Sequence, residues 1–76
     1  MNKKGPVIYR KIDSAGNTIT WYYALQEGGS FVLYQSNTKE GRKEKTDIHG
    51  ANLSELLETL INKTSCEYRI IVDEKP

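Results

Sequence analysis

One segment of this sequence carries a helical hydrophobic period, and that limits the fold more than any other feature. Leu53, Leu56, Leu57, Leu60 and Ile61 recur at i, i+3, i+4, i+7 and i+8, the spacing of one buried stripe on an amphipathic helix. Asn52 stands where an N-cap is needed, and Glu55 follows three residues later in a capping-box-like arrangement. Asn62-Lys63-Thr64-Ser65 ends the helix. A single helix covers one face of whatever the rest of the chain builds, and no second helix is available for the other.

The rest of the chain reads as strands. Val7 to Ile12 is near-alternating and rich in β-branched and aromatic residues, and Asp13 to Asn17 is turn chemistry. Thr18 to Gln26 is a second strand, Glu27-Gly28-Gly29-Ser30 a hairpin loop, and Phe31 to about Asn37 a third strand. Thr38 to Lys45, with four basic and two acidic residues around Gly41, is a polar hairpin tip or a mobile loop. In the first case Arg42 to Ile48 returns as a further short strand. Cys66 to Asp73 is a last strand, with Cys66, Tyr68, Ile70 and Val72 on its apolar side, and residues 74–76 are a frayed tail, as are residues 1–5. The predicted fold is therefore α+β. It has an antiparallel meander of three or four N-terminal strands, one helix packed on one face, and a C-terminal strand returning to the sheet.

Strand parity divides the aromatic run Trp21-Tyr22-Tyr23. Alternate residues point to opposite faces, so Trp21 and Tyr23 share one face with Leu25, and Tyr22 takes the other. Pairing the helix stripe with the bulkier set places Trp21, Tyr23, Leu25, Tyr68, Ile70 and Val72 under the helix and leaves Tyr22 uncovered. The loop at Gly28-Gly29 sets the register. A two- or four-residue loop places Val32 and Tyr34 beside Leu25 and Tyr23. A three-residue loop with a bulge places Phe31 and Leu33 there instead. The second, more apolar combination is preferred, and it leaves Tyr34 on the face of Tyr22.

Seventy-six residues make one domain, 1–76, with a core of marginal stability. Hydrophobic residues make up 37% and charged residues 28%, which suits a globular chain rather than a disordered one. No apolar run approaches the length of a membrane span and no signal-like segment opens the sequence, which predicts a cytoplasmic protein. The lone Cys66 rules out an internal disulfide and reads as a half-buried structural thiol. Charge is uneven: residues 1–45 hold eight Lys/Arg against four Asp/Glu, and residues 46–76 hold three against six. A basic sheet attracting an acidic helix explains this imbalance without a ligand.

Catalytic constellations are scarce. His49 precedes the helix and Cys66 follows it, about 15 Å apart or more for a ten-residue helix, too far for a nucleophile and its base. The sequence has no Cys-x-x-Cys, no His pair, no calcium-loop spacing and no glycine-rich phosphate loop. No enzyme activity, cofactor, metal, membrane contact or small-molecule substrate is expected.

What remains is binding. An uncovered sheet face bearing Tyr and Arg has the composition of a protein interface, and self-association would also support a small core. The favoured reading is a noncatalytic protein-binding adaptor or inhibitor, by analogy with accessory proteins of phages and mobile elements, with a homodimer as one form of that contact. The alternative is nucleic-acid binding, with bases stacking on exposed rings and Lys/Arg meeting phosphates. The three-strands-then-helix order resembles both a known single-stranded-DNA-binding fold and the small three-stranded DNA-binding domain of some phage-type integrases, but no specific motif of either is present and the strand after the helix departs from both. In either reading the candidate contact residues are Tyr9, Tyr22, Tyr34, Arg42 and Lys43.

Overall fold

The computed structural model describes residues 7–74, the last of them by its backbone alone. The frayed ends expected at residues 1–5 and 74–76 fall outside it, except that Glu74 closes a strand. The elements follow the order β1 (Val7–Ile12), β2 (Thr18–Glu27), β3 (Ser30–Ser36), β4 (Glu44–Gly50), α1 (Leu53–Lys63) and β5 (Arg69–Glu74). They form a five-stranded antiparallel sheet in the order β4-β3-β2-β1-β5, with α1 on one face. The α+β expectation holds, including the C-terminal strand, which returns beside β1 at the edge opposite β4. Among the described residues, no helix is long and apolar enough to cross a membrane.

The register at the β2–β3 hairpin corrects the preferred expectation. Glu27 pairs with Ser30, so the loop is the two residues Gly28 and Gly29. Gly28 has φ +61° and Gly29 does not share the positive sign, the pattern of a type II′ turn, which demands glycine first. Tyr34 therefore lies opposite Tyr23 and Val32 opposite Leu25, on one face, while Leu33 lies opposite Ala24 on the other.

The choice of face is also the reverse of that expected. The cluster beneath α1 is Val7, Tyr9, Tyr22, Ala24, Leu33, Ile48, Leu56 and Leu60, with Phe31, Leu53, Leu57 and Ile70 packed around it. Tyr22, not Trp21 or Tyr23, faces the helix. Ala24 explains the preference: a small residue at the sheet centre lets Leu33, Leu56 and Leu60 close over it, all three side chains essentially without solvent contact. The opposite parity presents Trp21, a wider ring flanked by Arg10, which is better suited to a wet face.

The helix begins as its sequence indicates. Asn52 Oδ1 accepts from the Glu55 N–H at 2.9 Å, and Glu55 Oε1 accepts from the Ala51 N–H at 2.8 Å. The backbone approaches closely here: a Cβ added to Gly50 would lie 2.7 Å from the Leu56 nitrogen. α1 packs chiefly on β4 and β3, so its cover is off-centre.

β5 starts later than the sequence suggests, and β4 runs two residues beyond the expected Ile48. β5 begins at Arg69, because Ser65 to Tyr68 forms a turn closed by the Tyr68 N–H on the Ser65 carbonyl at 3.0 Å. Cys66 sits in that turn and is exposed, contrary to the expected half-buried thiol. His49, expected in a loop before the helix, is an exposed residue of β4 opposite Val32.

Candidate interaction surfaces

Two surfaces result from this arrangement: the sheet face away from α1, and the flank formed by α1 and β5.

On the first, the segment between β3 and β4 is the tip of their hairpin, one of the two expectations, with β4 returning beyond it as the further strand. It folds back over the sheet. Ser36 Oγ donates to the Thr38 carbonyl at 2.7 Å, and a turn closes from the Gly41 N–H to the Thr38 carbonyl at 3.2 Å. The Tyr23 hydroxyl donates to the Lys39 carbonyl. Lys43 Nζ lies 4.4 Å from the centre of the Tyr23 ring, and Lys39 Nζ lies 5.6 Å from that of Trp21. Tyr23 is thus only 3% exposed although no helix covers it.

Arg10 completes the cluster. Its guanidinium is 5.6 Å from the Trp21 ring centre, and its Nη1 donates to Thr18 Oγ1 at 2.7 Å. Asp73 joins the cations, with Oδ1 3.1 Å from Arg10 Nε and Oδ2 3.5 Å from Lys39 Nζ. The Arg10 Nε–H does not point along its contact, so the pair is an ion contact rather than an aligned hydrogen bond. Asp73 therefore ties β5, β1 and the β3–β4 loop together.

A second polar group lies nearer the hairpin. The Tyr34 hydroxyl donates to Glu27, whose other oxygen is 3.3 Å from Lys45 Nζ. The hydrogen bond from Tyr34, then that from Lys45, holds the Glu27 carboxyl below its ordinary range, and the same bond to Glu27 pushes the Tyr34 hydroxyl up.

The flank is different in kind. Because α1 sits over β4 and β3, the outer part of its own sheet face is open. Ile61 on the helix is 49% exposed and Val72 on β5 is 45% exposed, with half-buried Ile70 beside them. A shallow groove lined by Ile61, Thr64, Cys66, Tyr68 and Ile70 runs between helix and strand. Beyond it lies the outer edge of β5, which among the described residues pairs with β1 on its inner side alone.

The five candidate contact residues separate accordingly. Tyr9 and Tyr22 are 3% and 6% exposed beneath the helix and are not presented to a partner, since α1 covers the face they share rather than that of Trp21 and Tyr23. Burial pushes the Tyr9 hydroxyl above its ordinary pKa. Tyr34, Arg42 and Lys43 remain accessible, with Tyr34 on the open face and Arg42 and Lys43 on the loop crossing it. The β5 flank was missed. Its signal was present in Ile70-Ile71-Val72, three adjacent β-branched residues on a strand that the order of elements leaves at an edge.

Among the described residues, no group of three or more His, Cys, Asp or Glu side chains is placed to hold a metal ion. No family model, curated protein or solved structure matches this chain.

Proposed function

We propose that this chain is a noncatalytic protein-binding module whose contact surface is the flank of α1 and β5. The observation that carries the reading is the off-centre helix, which leaves Ile61, Ile70 and Val72 as an apolar shelf beside a strand edge that is unpaired among the described residues. Side chains of this kind contribute little to the fold where they stand and gain on being covered. A strand edge supplies the backbone donors and acceptors that align a partner, and the shelf supplies the apolar area.

The test is affinity capture from a native-host lysate with the wild-type chain and an Ile61→Glu/Val72→Glu variant, both verified as folded by circular dichroism. The expected result is a protein retained by the wild type and lost by the variant. Equal capture by both, or capture by neither, overturns the reading.

Nucleic-acid binding is kept as a second reading because Arg10, Lys39, Lys43 and Lys45 gather on the face of Trp21 and Tyr34. It predicts oligonucleotide affinity that falls steeply with salt, with a slope flattened by Arg42→Ala/Lys43→Ala. Absence of binding at low salt removes it.

A further inference from the structure

We propose that the occupant of the β5 edge is a second copy of this chain, paired antiparallel about a two-fold axis through Ile71. The inference rests on the protein-contact reading of the flank and adds the partner and its register.

The argument begins with the two edges of the sheet. β4 carries a register shift opposite Val32 to Tyr34 and exposes Glu44, Lys45 and Asp47, devices that discourage further pairing. β5 is regular from Arg69 to Val72 and places Ile70, Ile71 and Val72 at its centre. Ile71 pairs with Arg10 and so lies on the open face with Arg69 and Asp73, whereas Ile70 and Val72 lie on the helix side.

Directly opposed residues of an antiparallel pair share a face, so two copies of β5 can slide only in steps that keep parity. Centred on Ile70, the pairing opposes Arg69 to Ile71 and carries Val72 and Asp73 past the start of the partner strand, opposite its Ser65–Tyr68 turn. Centred on Val72, it opposes Ile71 to Asp73 and Ile70 to Glu74. Centred on Ile71, every pair is complementary: Arg69 meets Asp73 at both ends, Ile70 meets Val72 on the helix side, and Ile71 meets itself. Arg69 is exposed, and Asp73 is already fixed by Arg10 and Lys39, so the acid is presented in a defined position. The register shift between Ile8 and Tyr9 falls at Asp73 and ends the regular run there, which keeps the shared ladder short. The outcome is a ten-stranded sheet with both helices on one side, and each exposed Val72 covered by Ile70 of the other copy.

Two measurements test this. In sedimentation, the wild type is expected to show a reversible dimer. Arg69→Glu, on an exposed side chain, is expected to weaken it by about tenfold or more, because two attractive pairs become repulsive. Asp73→Lys is expected to do the same, and an equal mixture of the two variants to associate again, since each then supplies what the other lacks. In the second, a Cys66→Ser background carrying Ile71→Cys is expected to form a disulfide-linked dimer on mild oxidation, because paired Cα atoms lie about 4.5–5.5 Å apart, within disulfide range. Ile70→Cys, opposite Val72, is expected not to. A wild type that stays monomeric at the highest soluble concentration, or equal cross-linking through positions 70 and 71, overturns the proposal. A monomer that still captures a host protein through Ile61 and Val72 overturns this pairing and leaves the protein-contact reading intact.

Discussion

The Tyr23 hydroxyl donates to the backbone carbonyl of Lys39, so the ring that the helix leaves uncovered is roofed by the loop joining β3 to β4. The loop is held at three more points: Lys43 over Tyr23, Lys39 over Trp21, and Lys39 on Asp73. A one-helix chain thus gives partial cover to the second face of its sheet, using charged side chains whose stems lie along aromatic rings.

Removal of that hydroxyl should release the loop. Tyr23→Phe is expected to cost about 0.5–1.5 kcal/mol, the net worth of one hydrogen bond, and to speed amide exchange in residues 37–43 ahead of the strands. Unchanged exchange in that loop would show that the aromatic and ionic contacts hold it without the hydroxyl.

Gly50 is the second sensitive position. A Cβ there would meet the Leu56 nitrogen at 2.7 Å, a backbone atom in the first part of α1 that cannot swing aside as a side chain would. Gly50→Ala should force the helix away from β4 and destabilise the fold by about 1–3 kcal/mol, read from denaturant midpoints. A neutral result would mean that the helix start shifts without disturbing Leu56 and Leu60.

The helix, its cap and the strand succession were legible because each depends on local spacing: the Leu53–Ile61 stripe, Asn52 with Glu55, and Gly28-Gly29 between two apolar runs. The assignment of faces was not. Trp21, Tyr23 and Leu25 form the bulkier set, but area alone does not choose a face. The contact with α1 is fixed by Ala24 opposite Leu33, a small-to-large pairing visible only once the hairpin register is known. The helix's choice of face moved Tyr9 and Tyr22 from candidate contacts into the core, whereas the loop length moved Tyr34 to the face of Tyr23. Asp73 was legible as a polar strand residue, but its link to Arg10 and Lys39 joins segments far apart in sequence, and no local pattern announces it.

Two adjacent helix residues should respond very unequally. Leu60 is 2% exposed within the core, and Leu60→Ala should cost about 2–5 kcal/mol through lost contact and the cavity left behind. Ile61 continues the same stripe in sequence but lies at the open margin of the helix, so Ile61→Ala should stay within about 0.5 kcal/mol. Comparable losses at both would place Ile61 in the core and remove it from the contact shelf.

Alkaline pH should expose the burial of Tyr9. Its hydroxyl is raised above the ordinary value of 10.0 because burial penalises the phenolate. The folded state therefore holds the proton more tightly than the unfolded chain. The stability associated with it is fully present below the unfolded pKa and is lost as pH rises through the folded value. Tyr34 is raised as well, through its bond to Glu27, and adds to the same alkaline limb from an exposed site. Thermal melts between neutral pH and the tyrosine range should show a falling Tm at the upper end. Tyr9→Phe keeps the ring and removes the ionisable group, so its melting temperature should match the wild type near neutrality and fall less steeply above pH 10. A Tyr9→Phe curve parallel to the wild type would assign the alkaline loss to Tyr34, which Tyr34→Phe would then flatten.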